Sequence, residues 1–264
     1  MNAIKREVNI PKHLKPIVIA FGMYSRIPMP SVEWGADSMA YALAGFPLVG
    51  VVIGAALWVW MRICSRLGVG ALLQSAGMML IHIAIAGGIH LDGFCDVSDA
   101  LASHQPAARK LEIMKDSRVG AFAVISLCLY MLTEFAVLSE MAFTPDQVMT
   151  IAAVPALSRA LTGFAAVTFK NARGDGVLAA FVSSANTNAV RAACAAWFAV
   201  SVALMIIARP SAGVVVTIAS LASFVYYRYM AYKQFGGITG DLSGWFLQVC
   251  EWVCLVAVAA SQWI

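Results

Sequence analysis

The chain has 264 residues, 61% of them hydrophobic and only 12% charged, about half the charged share of an ordinary soluble domain. The net charge of +4 is too small to mark a nucleic-acid surface, and the six cysteines stand without a CxxC pair or histidine partners at metal spacing. These values exclude a soluble globular enzyme, a disulfide scaffold and a nucleic-acid binder. They point to an all-α, polytopic integral membrane bundle.

In chain order, basic residues come first, then a short apolar run from Ile17 to Tyr24. The following "SRIPMP" holds no small-residue cleavage site, so no removed signal peptide is expected. Residues 15–25 are too short to cross a bilayer and end at Arg26 and Pro28, which predicts an interfacial or re-entrant segment. Seven spans follow, at about 38–62, 70–89, 119–141, 147–168, 189–208, 211–231 and 242–263, each near the ~20 residues that cross the hydrocarbon. No internal repeat, low-complexity tract or long linker divides the chain, so one membrane domain over 1–264 is expected. The cysteines are expected to be packed thiols.

Basic residues orient this layout. With the N-terminus inside, 14 lysines and arginines fall in 1–37, 90–118, 169–188 with its edge at Arg191, and 228–241. Arg62, Arg66 and Arg209 fall outside, and Arg159 lies within a span. The positive-inside rule then places the polar loops on the cytoplasmic side of a bacterial inner membrane.

One loop holds five of the 14 acids: Asp92, Asp96, Asp99, Glu112 and Asp116. Asp92, Asp96 and Asp99 are spaced i, i+4 and i+7, which stacks three carboxylates on one helical face. Such a face repels itself unless a cation sits there, and oxygen-only ligands suit Mg²⁺, which typically takes one or two carboxylates plus substrate phosphates. Lys115 and Arg118 stand beside Asp116. Carboxylates for metal next to cations for phosphate is the equipment of phosphoryl transfer. His90 adjoins the cluster, although a lone histidine there is more often structural.

Two further loops lie on the same side. "FKNARGDGVLAAF" sets Lys170, Arg173 and Asp175 among glycines, where backbone can approach a ligand and arginine can grip phosphate. "FGGITGDLSGW" brings Thr239 and Asp241 to the start of the last span, where Asp241 can bind metal or cap the helix. Within the spans, Arg159, Glu134 and Glu251 are site or pairing candidates, because ionisable groups are costly in lipid. His82 is expected to be a packed helix histidine, and Glu140 to snorkel.

"GGIHLDGFCDVSDAL", "RKLEIMKDSRVGAF", "SRALTGFA…ARGDGVLAAF" and "GGITGDLSG", with the earlier "YSRIPMP" and "GFPLVGVVIG", resemble in order the motifs of the cobalamin synthase family, the adenosylcobinamide-GDP ribazoletransferases. The resemblance covers most of the chain. Ala100, Cys95 and Gly174-Asp175-Gly176 depart from the usual pattern, and none of these departures removes a carboxylate from the central cluster. The resemblance implies a membrane-bound, Mg²⁺-dependent transferase for the last assembly step of vitamin B12. There the 5′-hydroxyl of α-ribazole, or of its 5′-phosphate, attacks adenosylcobinamide-GDP and GMP leaves.

The expected metal ligands are Asp92, Asp96, Asp99 and Asp116, with Asp99 or Asp241 as base. His90, Lys115, Arg118, Arg159, Arg173, Asp175 and Thr239 are expected to serve the substrates. Partners are those two small molecules and the lipid bilayer, with no nucleic acid, and self-association into a homo-oligomer stays open. Two other readings compete with this one. A CDP-alcohol phosphotransferase would follow Asp92-Gly93 with an Ala-Arg pair that is missing here, and a transporter would bury its acids near the bilayer midplane.

Overall fold

A computed structural model describes residues 10–263; Lys5 and Arg6 lie outside the described residues. The architecture is the expected all-α bundle. Among the described residues, bridging outside helices is limited to one isolated pair, Asn171 with Ile238. Helices dominate because a bilayer offers no water to unpaired backbone groups.

The expected short segment is α1 (Lys15–Tyr24), whose Pro16, Ile19, Ala20 and Phe21 are buried against the bundle. After α2 (Ala36–Met39), a 3-10 turn at Ala42–Gly45 leads into α3 (Phe46–Leu67). The first long α-helix therefore starts later than residue 38, at a point where Pro47 pre-sets its first turn. Helix α4 (Ala71–Ala86) runs back, and α5 (Ile89–Ala102) leaves it at 94°. Gly87 and Gly88 supply that corner with φ of 72° and 76°, values that side chains with a Cβ rarely adopt.

Next come α6 (Ala107–Ile113), α7 (Ala121–Ser139) and α8 (Pro145–Ala166). The chain continues through α9 (Gly176–Ser184), α10 (Thr187–Ala208), α11 (Pro210–Phe235) and α12 (Gly240–Ala260). The expected loops 90–118 and 169–188 are thus partly helical, a correction to reading them by polarity. Phe94, Val97 and Ala100 give α5 a buried apolar stripe that average hydropathy hides.

Six segments are long and apolar enough to cross a membrane, and the remaining expected span, 70–89, is α4, which reaches that length only together with α5 across the 94° bend. With 16 residues it is only about 24 Å long. Seven helices (α3, α4, α7, α8, α10, α11, α12) run between two faces. At one face, Ala142 N–H donates to Gln262 Oε1 at 2.9 Å and Arg209 Nη2 donates to Ser261 O at 2.8 Å. The polar loops of interest gather at the other.

Helices α8 and α12 form the centre, with 83% and 78% of their apolar windows buried against 11% for α7. Gly50 and Gly54 let α3 approach α8 so closely that a Cβ at either would collide with backbone at Pro155 or Ala152.

Candidate active site

The carboxylate face of α5 is set against the start of α12 by two glycines. A Cβ at Gly93 would lie 2.7 Å from Asp241 O, and one at Gly244 would lie 3.3 Å from the His90 backbone. This crossing brings Asp92, Asp96, Asp99 and Asp241 into one charge cluster. Burial, and then Asp92, Asp241 and Asp99, push the Asp96 carboxyl up to about 6, with Arg173 opposing. Asp99 has a second task. Its Oδ2 accepts from Gly120 N at 2.7 Å and its Oδ1 from Ala123 N at 2.8 Å, so it caps the start of α7 from a neighbouring helix. The three carboxylates expected on one face are on α5, and one of them, Asp99, also caps a second helix.

Beyond Asp99 a polar pocket of about 200 Å³ is lined by Asp96, Asp99, Glu112, Asp116, Arg109 and Arg118. The exposed Asp116 is held down to about 2 by its hydrogen bonds from Arg118, whose Nη2 donates to Oδ2 at 2.7 Å. Arg109 donates to Glu112 at 2.6 Å. Lys115 Nζ lies 3.4 Å from Asp175 Oδ2, joining this stretch to the loop before α9. Lys110, counted above only as a topology charge, is buried and donates to Gln234 Oε1 at 2.5 Å.

Arg173 ties three elements together. Its Nη2 donates to Leu111 O at 2.7 Å, and its Nη1 stands 3.5 Å from Asp241 Oδ2. Asn171, not singled out in the sequence, shapes this loop by accepting from Arg173 N at 2.9 Å and Gly174 N at 3.1 Å. An asparagine just before a Gly-rich turn was the available signal. Ala172 N donates to Ile238 O and Ile238 N to Lys170 O, both at 2.8 Å, which fastens this loop to the one before α12. Thr239 is buried and caps α12, accepting from Leu242 N at 3.2 Å. Of the two roles open to Asp241, the N-cap is thus taken by Thr239, which leaves the Asp241 carboxylate to face the site.

At the N-terminal end of α5 lies a mostly apolar cavity of about 220 Å³. Asp92 and Asp241 stand on its rim, and Tyr24, Phe46 and His90 are in its wall. His90 is 6% exposed and its Nδ1 has no partner. Arg159 lines neither space. It is fully buried in the bundle, donating from Nη1 to Glu251 Oε1 at 2.7 Å and to Pro155 O at 3.0 Å, with Phe46 5.8 Å beneath its guanidinium. His82 is more than a packed residue, since its Nε2 is 3.1 Å from Glu251 Oε2.

Among the described residues no group of three or more carboxylate, imidazole or thiolate side chains is arranged to hold a metal by itself. The cysteines are unpaired.

A family model described as cobalamin-5-phosphate synthase matches residues 16–259, nearly the whole of this bundle. The chain belongs to that family. Relatives in the cobalamin-5-phosphate synthase family are named adenosylcobinamide-GDP ribazoletransferase. The one from Lachnoclostridium phytofermentans is 39% identical over 251 residues, 95% of each chain. One from Clostridium perfringens strain 13 is 33% identical over 90% of this chain and 94% of its own. One from a Geobacillus species, strain WCH70, is 34% identical over 87% and 90%. No solved structure matches the chain. As a member of the cobalamin-5-phosphate synthase family, the protein is a multi-pass membrane protein whose shared length includes α5, Arg173 and Asp241.

Proposed function

We propose that the chain joins adenosylcobinamide-GDP to α-ribazole, or to its 5′-phosphate, and releases GMP. The family match and the names of its relatives support this. The structural observation that carries it is that the acidic face of α5 runs past two unlike spaces, with Asp92 lining a mostly apolar cavity and Asp96 and Asp99 lining a polar, cation-bearing pocket. A reaction between an alcohol and a diphosphate needs such a boundary: a sheltered place for the alcohol and charge for the phosphates.

In the proposed step, the 5′-oxygen of α-ribazole forms a bond to the cobinamide-linked phosphorus. The bond from that phosphorus to the bridging oxygen breaks, GMP carries that oxygen away, and the hydroxyl proton passes to a carboxylate. Asp241 suits the base role better than Asp99, because both Asp99 oxygens already accept backbone N–H groups. Arg173, held at Leu111 and Asp241, is placed for the nucleotide diphosphate. Lys115 and Arg118 add positive charge at the polar side.

The residues fit a small divalent cation. The cluster is oxygen-only, its like charges raise Asp96, and Arg173 is the cation that opposes them. Asp92 and Asp96, one turn apart on the same face, would hold Mg²⁺, with Asp99 and Asp116 lining the polar pocket beside Asp96. When bound, the ion supplies charge neutralisation for the diphosphate and the leaving group. The site would face the cytoplasm of a bacterial inner membrane, where both nucleotide and nucleoside are found.

The test is to supply the purified protein in lipid with adenosylcobinamide-GDP, α-ribazole and Mg²⁺. GMP and a cobalamin product should form together. Neither should form after chelation, and Mg²⁺ should restore both.

A further inference from the structure

Helix α11 has 26 residues and is about 39 Å long, against about 30 Å of hydrocarbon. Counted from Pro210, at the face away from the active-site loops, it leaves the hydrocarbon after about 20 residues. Arg228 then stands at the boundary and Lys233 among the headgroups. Val214, Ile218, Leu221 and Val225 share one side of the helix with Tyr229 and Tyr232, at the i, i+4, i+7 repeat. All six are exposed, Val225 at 68%, so lipid meets this stripe along its apolar part. Arg228 and Lys233, exposed as well, flank its polar end.

That polar end offers donors. The Arg228 guanidinium lies over the rings of Phe169 at 5.5 Å and Tyr232 at 5.6 Å. A guanidinium held by ring faces keeps its N–H fork for an anion, and among the described residues no protein acceptor takes that fork. Lys233 Nζ donates to Tyr229 Oη and Lys170 N to Tyr232 Oη, both at 2.8 Å, so each phenol still has its own O–H to give. Lys170, Arg228 and Lys233 form no ion pair with a carboxylate among the described residues. An unanswered cation at the hydrocarbon boundary is costly, and an anionic headgroup is the partner that the boundary itself supplies.

We infer that the end of α11 is a binding site for an anionic phospholipid, with the headgroup phosphate in the fork of Arg228 beside the two tyrosines and one acyl chain along the Val225–Leu221–Ile218 stripe. The chemistry of the face chooses this occupant. Three cations without an acid favour a headgroup of net negative charge, whereas a choline headgroup would add a fourth cation. A soluble phosphate would satisfy the fork and leave the apolar stripe unused. The site also reaches the catalytic side of the molecule. Phe169 and Lys170, which meet Arg228 and Tyr232, open the loop that carries Arg173, so a bound headgroup steadies that loop at its root.

The experiment offers the full chain in detergent an equimolar mixture of phosphatidylglycerol and phosphatidylcholine and reads the retained lipid by native mass spectrometry. Phosphatidylglycerol should be retained preferentially. Arg228→Ala should weaken its retention by about tenfold or more, and Lys233→Gln, in the exposed last turn, by about fivefold. Arg62→Ala serves as the control: its guanidinium lies 5.9 Å from the Trp58 ring at the opposite face, and its loss should change nothing. Thermal melts identify a variant that fails to fold, and Lys233→Gln decides the matter should Arg228→Ala be one. Excess glycerol 3-phosphate should leave the lipid in place. In nanodiscs, amides 170–174 should exchange more slowly with phosphatidylglycerol than with phosphatidylcholine, and Arg228→Ala should lose that difference. Equal retention of the two lipids, an equal loss in Arg62→Ala, or unchanged retention in folded Arg228→Ala and Lys233→Gln would each overturn the site. Displacement by glycerol 3-phosphate would overturn the acyl-chain half, and identical exchange in the two lipids would overturn the link to the Arg173 loop.

Discussion

Replacing Asp92 or Asp96 with asparagine removes one charge and almost no volume, so the helix and its crossing with α12 should survive. GMP release should fall to background in both variants while their thermal melts stay near wild type; normal turnover in either would remove it from the metal site. Asp96 also makes a prediction about pH. Its carboxyl stands at about 6 in the fold, against roughly 3.9 in an unfolded chain, so between those values the native state holds the extra proton. Stability from this residue is therefore full at low pH and is lost as pH rises from about 4 to about 6. In chelator-treated protein, melts taken across that window should show the decline in wild type and a flatter profile in Asp96→Asn. Arg173→Ala removes a charge-assisted phosphate contact of roughly 1.5–3 kcal/mol, so binding of adenosylcobinamide-GDP should weaken about 10- to 150-fold and α-ribazole much less. Equal losses would mark a folding defect. At this scale the sequence was informative about which residues gather and silent about their second duties. Nothing in the i, i+4, i+7 spacing says that Asp99 would cap a helix that starts 22 residues later, because that bond exists only after α5 and α7 pack.

Between elements, the decisive features are glycines at corners and crossings. Gly54→Leu should force α3 off α8 and greatly reduce folded yield in detergent, since its Cβ would meet the Ala152 carbonyl. The corner before α5 separates two effects. Gly88→Ala faces no steric obstacle and should cost about 1–2 kcal/mol from its left-handed backbone alone, whereas Gly87→Ala must also displace the Arg26 side chain. Chemical-denaturation midpoints of the two variants should therefore rank Gly88→Ala above Gly87→Ala. Hydropathy located the end of the α4 span at this glycine pair, but the 94° turn was not legible. Two left-handed residues permit a corner without specifying its angle, and the packing of α5 on α12 selects it.

For the whole molecule, the five crossings of α7, α8, α10, α11 and α12 put the tip of the 103–108 loop and Gln262 on opposite sides. A single cysteine introduced in 103–108 should be protected from membrane-impermeant reagent in intact cells, and one at Gln262 should be labelled. Labelling of both, or of neither, would mean that one of α7, α8, α10, α11 and α12 does not cross, whereas the reversed pattern, 103–108 labelled and Gln262 protected, would mean that α4 with its 16 residues does not. Six of the seven expected spans agreed in kind with long apolar helices because lipid imposes a length and a composition that sequence records directly. The arrangement of those helices, with α8 and α12 inside and α7 outside, was less legible, since hydropathy scores an apolar residue equally whether it meets lipid or protein.

The Arg159–Glu251 pair joins residues 92 positions apart, the first on α8 and the second on α12. On insertion scales an arginine in the middle of a lone membrane helix costs about 2.5–3.5 kcal/mol. At a synthesis rate of roughly 5–20 residues per second, Glu251 follows Arg159 out of the ribosome by roughly 5 to 18 s. During that interval the most central helix of the finished protein exists with its charge unanswered. The last helix made is thus the one that completes the first interior surface, and a chain that stops before it leaves α8 as a marked target for the membrane's quality-control proteases.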